Sequence, residues 1–210
     1  IYVGGDFNST QIIIDSDTLF SSGFTNFYII KYDSLGNYLW SKSYGNNGDA
    51  TLNSIGCDSY GNIACTGSFF SPNLTLGQIQ LQNSSSVDDP DIFVCKLDSS
   101  GNTLWAHSAT DFYSDLAVGL AIDPNDNIII TGSFNGVNIT FGSHSLNNLG
   151  GNFNYGVYIV KYDTSGNVKW AEAVSMNAQP GGVEPSDISS DQYGALYITG
   201  EFAYAGVQFG

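Results

Sequence analysis

Apolar residues in this chain come in short runs with a period of two, and no 11-residue window carries a helical stripe. Phe27–Tyr32, Ile92–Leu97 and Val157–Tyr162 are rich in β-branched and aromatic residues, which suits strands. Each is followed by Asp-x-x-Gly-Asn and a second run that reaches Trp40, Trp105 or Trp170. Asp33, Asp98 and Asp163 can bond their own backbone two residues on, and Gly36, Gly101 and Gly166 supply the positive φ of a short loop. Lys31–Trp40, Lys96–Trp105 and Lys161–Trp170 are therefore expected to be hairpins, with their aspartates in structural rather than catalytic or metal-binding roles.

A second strand pair precedes each hairpin. Asp58-Ser-Tyr-Gly-Asn62 leads into IACTGSF, Asp123-Pro-Asn-Asp-Asn127 into IIITGSF and Asp191-Gln-Tyr-Gly194 into ALYITGEF, while the chain opens on the related IYVGGDF. The hairpin motif recurs every 65 residues. Two distances never change: 11 residues from the turn Asp to Phe69, Phe134 or Phe202, and 9 from the motif Lys to its Trp. The connections do vary, with 24 residues from Phe7 to Lys31 against 27 in the next two copies, and 21 from Trp170 to Asp191 against 18 before. Rigid hairpins joined by surface loops behave in this way.

One repeat thus reads as strands near 52–58, 62–69, 92–98 and 102–108, with a short fifth extended piece (Leu74–Leu81, Ile139–Leu146) between the second and third. The fold class expected is all-β: a β-propeller built of four-stranded antiparallel blades of ~65 residues, present as an incomplete arc of a larger propeller. Residues 1–51 would be a partial blade, 52–115 and 116–184 whole blades, and 185–210 a second partial blade. The recurrent Trp would pack between blades, where a large ring contributes most area.

Charge removes some functions. The 20 acids against 5 bases give a formal net charge of −15; every base is Lys and there is no Arg. Such a surface repels a phosphate backbone and lacks the bidentate fork that reads one, which excludes nucleic acids and anionic membranes as partners. No apolar run approaches the ~18 residues that span a bilayer, so membrane insertion is not expected. The chain opens at Ile1 inside a motif, so a processed or trimmed start is expected. Cys57, Cys65 and Cys95 align with Ile122, Ile130 and Ile30 of other copies and are expected to be small, inert, buried hydrophobes.

Candidate chemistry is sparse. His107 stands where other copies have Lys42 and Glu172, and His144 lies in an insert; neither has a second ligand at zinc spacing, and no G-x-S-x-G elbow occurs. Asp88, Asp89 and Asp91 cluster beside Pro90 as weak calcium candidates, although one loop hardly supplies six oxygens; the plainer reading is a solvated acidic loop. No catalytic or cofactor-binding residue is assigned, and calcium is the sole cofactor considered. Lys31, Lys96 and Lys161 are expected to form screened ion pairs with local carboxylates rather than an anion-attracting ring. Asn8, Asn73, Asn83 and Asn138 head Asn-x-Ser/Thr sequons, which would be glycan sites in a eukaryotic secretory setting.

The paired motifs, Asp-x-x-Gly-Asn-(I/L)-x-x-T-G-x-F and (F/Y)-(I/V)-x-K-(Y/L)-D-x-x-G-N-x-x-W, resemble the SBBP repeat, the "seven-bladed β-propeller" repeat, over essentially all 210 residues. Gly4 in place of the Thr of TGSF, Ala195 in place of Asn, and a longer insert depart from that pattern. The resemblance implies a propeller in secreted or surface proteins, largely bacterial, with no general enzymatic activity. The function expected is a non-catalytic binding or structural scaffold module of a larger secreted or cell-surface protein, adhesin-like. Loops Leu19–Asn26, Leu81–Asp91, Ser143–Tyr155 and Ser175–Ser186 would meet a protein or glycan partner. Two rivals stay open: a glycan-active hydrolase or lyase using channel-mouth carboxylates, and a surface-layer or filament building block whose bare sheet ends stack.

Overall fold

A computed structural model of the chain describes residues 1–21, 24–45, 49–84, 89–109, 111, 113–148, 155–176, 183–202 and 207–209. All regular structure among them is β. The first group of strands is β1 (Tyr2–Phe7), β2 (Gln11–Ile14), β3 (Asp17–Phe20), β4 (Asn26–Tyr32) and β5 (Tyr38–Tyr44). The second is β6 (Ala50–Cys57), β7 (Ile63–Phe69), β8 (Asn73–Leu76), β9 (Ile79–Gln82), β10 (Asp91–Leu97) and β11 (Thr103–Ser108). The third is β12 (Asp115–Ile122), β13 (Ile128–Phe134), β14 (Asn138–Phe141), β15 (His144–Asn147), β16 (Gly156–Tyr162) and β17 (Val168–Met176). The last is β18 (Val183–Ser190), β19 (Leu196–Phe202) and β20 (Val207–Phe209).

In the second group β6, β7, β10 and β11 pair in that order as an antiparallel meander, and β12, β13, β16 and β17 repeat it with β20 added along β17. Strands β1, β4 and β5 are the same sheet without an inner strand, and β18–β19 are an inner pair. Inner strands β6, β12 and β18 pack side by side, with β1 also against β6. The molecule is an arc of propeller blades. One expectation is corrected: the fifth extended piece is a hairpin in every copy (β2–β3, β8–β9, β14–β15). Its tight turn begins in the left-handed region, at Asp15 (φ 51°), Gly77 (63°) and Gly142 (58°), which folds the piece back on itself.

Blades hold together through faces that alternate along the central strands. On β7 and β10, Ile63, Cys65, Phe69, Phe93, Cys95 and Leu97 point toward the first blade and join Phe27, Ile29 and Tyr44 in one core. Phe27 stacks on Phe93 with ring centres 5.3 Å apart. The opposite face, Ala64, Ile92, Val94 and Trp105, joins Ile128, Ile130, Phe134 and Tyr158 of the next blade. Strands buried on both faces are mostly apolar, and β7, β10 and β13 accordingly show no exposed side, their few polar residues being buried with the rest. Trp105 lies within the second inter-blade core, while Trp40 and Trp170 pack against the first and third.

The Thr-Gly pair of the TGSF motif has a mechanical reason. Thr66 Oγ1 donates to the Phe93 carbonyl (2.8 Å) and Thr131 Oγ1 to that of Tyr158 (2.9 Å), satisfying buried hydroxyls across the sheet. Gly67 and Gly132 sit opposite a bulge in the inner strand, between Leu52 and Ser54 and between Ala117 and Gly119. A β-carbon there would overlap the Thr51 or Leu116 carbonyl and the ring of Phe93 or Tyr158. Only glycine fits so close an approach.

Two cysteine expectations divide. Cys65 and Cys95 are buried and directly opposed across β7 and β10, and burial first, then the Cys95 thiol, pushes Cys65 up into an unreactive range. Cys57 is exposed at the end of β6, contrary to expectation, because the strand leaves the sheet core there for the Asp58 turn.

Candidate functional site

The turn aspartates are fully used. Asp98 Oδ1 accepts from the backbone N–H of Ser100 and Asn102 (both 2.9 Å), and its Oδ2 from Asn102 Nδ2 (2.9 Å). Asp33 and Asp163 repeat the arrangement in the outer turns, and Asp58 and Asp123 in the inner ones. Asn37 and Asn167 hold Asp33 and Asp163 below the usual carboxylate range. A hydrolase drawing its acid and base from these carboxylates would have to dismantle its own turns.

The motif lysines correct a second expectation. Lys96 Nζ lies 2.8 Å from Asp58 Oδ2 and Lys161 Nζ 2.6 Å from Asp123 Oδ2, and both carboxylates are buried. These pairs are not screened, nor are their partners the outer-turn aspartates: antiparallel pairing of β7 with β10 carries each Lys to the inner turn. Burial pushes Asp58 and Asp123 up, but the lysine, the Asn side chain and the backbone N–H bonds outweigh it and hold both below their ordinary value.

Each blade's outer strand lies over the outer turn of the next blade. Trp40, Lys42 and Tyr44 alternate along β5 and share a face. Tyr44 Oη donates to the Gly101 carbonyl (2.9 Å) and Lys42 Nζ to Asn102 Oδ1 (3.2 Å), with the ammonium 5.9 Å from the Trp40 ring centre. One junction on, Trp105 Nε1 donates to the Thr164 carbonyl (3.2 Å), and His107 (5.4 Å from Trp105, 6.0 Å from Tyr162) forms a three-ring cluster with these two, whose own centres are 5.9 Å apart. At the first two junctions a cleft opens between the outer strand, the next outer turn and the next blade's short hairpin. The first, about 440 Å³, is lined by Lys42, Thr75, Gln78, Asn102 and Thr103; the second, about 470 Å³, by His107, Thr140, Ser143, Tyr162 and Asn167.

The two clefts correspond wall for wall, with Gly77 and Gly101 of the first matching Gly142 and Gly166 of the second. Their difference is chemical. A lysine ammonium occupies the first, and an imidazole the second; burial lowers the His107 pKa, partly offset by the Gly166 backbone, so the ring is neutral at pH 7. Thr103 Oγ1, in the first, is buried with no hydrogen-bond partner. No motif in the sequence marks these clefts, whose mouth position holds Lys42, His107 or Glu172 in successive copies. The available signal was its place two residues after each Trp, hence on the same strand face.

Of the sequence's calcium candidates, Asp88 lies outside the described residues. Asp91 is fully buried, not solvated, and accepts from the backbone N–H (2.6 Å) and Oγ (3.0 Å) of Ser84; Asp89 accepts from Ser114 Oγ (3.1 Å). Ser84 Oγ also accepts from the Asp111 N–H (3.1 Å), its one proton being shared between Asp91 and the Asp111 carbonyl (2.8 Å), so the described ends of the Leu81–Asp91 loop are stitched to the next blade. That junction gathers two aspartates the sequence did not flag. Asp115 opens β12 with no exposed surface, and neither carboxylate oxygen makes a well-formed hydrogen bond, the Asn135 backbone N–H facing it only weakly. Burial, then Asp111 and Asp91, push it up to about 9; the Asn135 backbone offsets this a little, and Asp89 adds to it. Among the described residues no three acidic, histidine or cysteine side chains already surround one point as a metal site does.

Fold and junctions together define a repeat protein of the β-propeller class. No family model matches the chain. Over 135 residues, 61% of this chain and 10% of the relative, it is 32% identical to an uncharacterized WD repeat-containing protein of Acanthamoeba polyphaga mimivirus. Over 104 residues, 50% of this chain and 11% of the relative, it is 29% identical to the regulatory protein FlaEY of Caulobacter vibrioides. The matched stretch thus spans about a tenth of the length of either relative.

Proposed function

We propose that the chain is a non-catalytic scaffold module of SBBP-repeat type that engages a protein partner along its row of blade-junction clefts. The observation that carries this reading is the recurrence of one cleft frame with a different residue at its mouth, Lys42 in one junction and His107 in the next. A rigid frame with varied contacts suits recognition more than chemistry. A viral relative named for its WD repeats fits a repeat scaffold. The SBBP resemblance favours a secreted or cell-surface setting, and the hydroxyl and amide lining would serve an adhesin-like contact with protein.

A photo-crosslinking residue placed at position 42 or 107 of the full-length protein, in its native cells, is expected to trap one discrete partner polypeptide. The same residue at Tyr60 or Tyr193, exposed on the inner turns, is expected to trap none. Equal trapping from both sets, or none from either, would overturn the assignment of the clefts as the contact surface.

A further inference from the structure

The junction between the second and third groups of strands holds an arrangement that apolar packing does not account for. Asp115 is completely buried, and neither of its carboxylate oxygens makes a well-formed hydrogen bond. The equivalent strand position in the preceding blade, opposite Phe69, is Ala50. The Asp115 N–H donates to the Pro90 carbonyl (2.9 Å) and Ser114 Oγ to Asp89 Oδ1 (3.1 Å), which brings the 89–91 segment alongside; Asp111, Asp91 and Asp89 all act electrostatically on Asp115. No Lys or Arg is among these neighbours. Asn135 Oδ1, at the end of the paired strand β13, is likewise buried and unbonded. The Asp111 carboxylate lies flat against Gly136, where any β-carbon would collide with it.

A buried carboxylate with no well-formed hydrogen bond is among the costliest groups a fold can contain, and it is kept when a cation or a proton completes it. The polar groups named around Asp115 are hard oxygen donors, several carboxylates and one amide oxygen from three separate segments. That donor set suits calcium, which takes six to eight oxygens in adaptable geometry, and offers nothing to a metal preferring nitrogen or sulfur. We propose that Asp115, with Asp111, Asp91, Asp89 and the Asn135 side-chain oxygen, binds a calcium ion at this blade junction. The ion closes the cluster rather than entering a preformed cage. It ties the Leu81–Asp91 loop, the start of β12 and the end of β13 into one unit, and so sets the rigidity of this junction beside the others.

Hydrogen–deuterium exchange of the full-length protein tests this at the peptides covering 89–97, 113–122 and 128–136. In millimolar calcium these peptides are expected to exchange at least ~10-fold more slowly than in chelator, with magnesium at the same concentration giving much less, while peptides of β4 and β5 stay unchanged. Asp115→Asn keeps the shape and removes the carboxylate that would hold the ion. It is expected to exchange alike in calcium and in chelator; Asp111→Asn should weaken the calcium response without abolishing folding. Identical wild-type exchange in calcium and chelator would overturn the proposal and leave a protonated Asp115. A calcium response undiminished in Asp115→Asn would overturn it as well, by placing the ion elsewhere.

Discussion

The first group of strands and the two that follow it carry the same motif in different surroundings. At Asp33–Asn37, Asp98–Asn102 and Asp163–Asn167 the turn bonds agree to within a few tenths of an ångström. Around them everything changes. Gly101 and Gly166 are buried beneath the Trp of the preceding blade, whereas a β-carbon at Gly36 would meet open space. Lys96 and Lys161 reach buried aspartates; Lys31 instead donates to the Ser99 carbonyl of the neighbouring blade (2.8 Å) and lies 5.2 Å from the centre of the Tyr2 ring. The motif builds a hairpin anywhere, but its stabilising weight comes from its surroundings: the inner turn of its own blade for the lysine, and the preceding blade's Trp for the turn glycine.

The largest effect should separate the lysines. Lys96→Met leaves Asp58 buried without its cation and is expected to cost about 3–5 kcal/mol in chemical denaturation, because stranding one member of a buried pair exposes the full desolvation penalty. Lys31→Met loses one bond to a carbonyl and should cost about 1 kcal/mol. Equal losses at the two positions would mean that the buried pair of Lys96 with Asp58, inside one blade, contributes no more than the single bond from Lys31 to the next blade.

Next come the turn glycines. Gly36→Ala meets only the strain of a positive φ (84°), about 1 kcal/mol. Gly166→Ala carries the same strain (φ 87°) and also drives a methyl to 2.8 Å from the Trp105 ring and 2.9 Å from His107 Nε2, so about 3 kcal/mol is expected. The difference between the two losses measures blade packing directly. If both variants lose the same amount, the tryptophan is not clamping the turn.

Acid sharpens the same contrast. Asp58 and Asp123 have folded pKa values below their unfolded ones. Their contribution is therefore present above about pH 4 and is lost as pH falls through the folded values. Removing Lys96 raises the Asp58 pKa, so the acid-unfolding midpoint of Lys96→Met should move to higher pH. Lys31→Met should leave that midpoint in place, and a matching shift there would contradict the assignment of the pairs.

Much of this architecture was legible in the sequence because its causes are local. Asp-x-x-Gly-Asn writes its own turn, and alternation fixed which residues of β7 and β10 face which neighbour. Trp40, Trp105 and Trp170 betrayed the inter-blade packing by recurring. Four-residue strands such as Asn73–Leu76 are too short for a period to register, although Gly77 and Gly142 marked their turns. The buried Lys–Asp pairs were hidden because Asp58 and Lys96 meet across two strands rather than along one. Asp115 was hidden more deeply: its neighbours Asp91 and Asp111 come from a connection and a strand approach that no other copy shares, so no repetition announced them.

The smallest expected effect concerns one turn in two versions. Gly61 (φ 80°) and Asp126 (φ 61°) occupy the same place in successive inner turns, and each N–H closes the turn on its Asp carbonyl. An L-residue there costs about 1 kcal/mol, less for Asp than for most. Asp126 recovers it by accepting from the Ser59 backbone N–H (2.8 Å) and Oγ (2.6 Å) in the preceding blade's turn. Asp126→Gly should therefore change stability by no more than about 0.5 kcal/mol, since relief of strain and loss of exposed hydrogen bonds nearly cancel. In a Ser59→Ala background one of those bonds is already gone, and the same substitution should turn stabilising. A double-mutant cycle that shows no coupling between positions 59 and 126 would mean that the carboxylate gains nothing from its neighbour, and that the left-handed aspartate is strain without compensation.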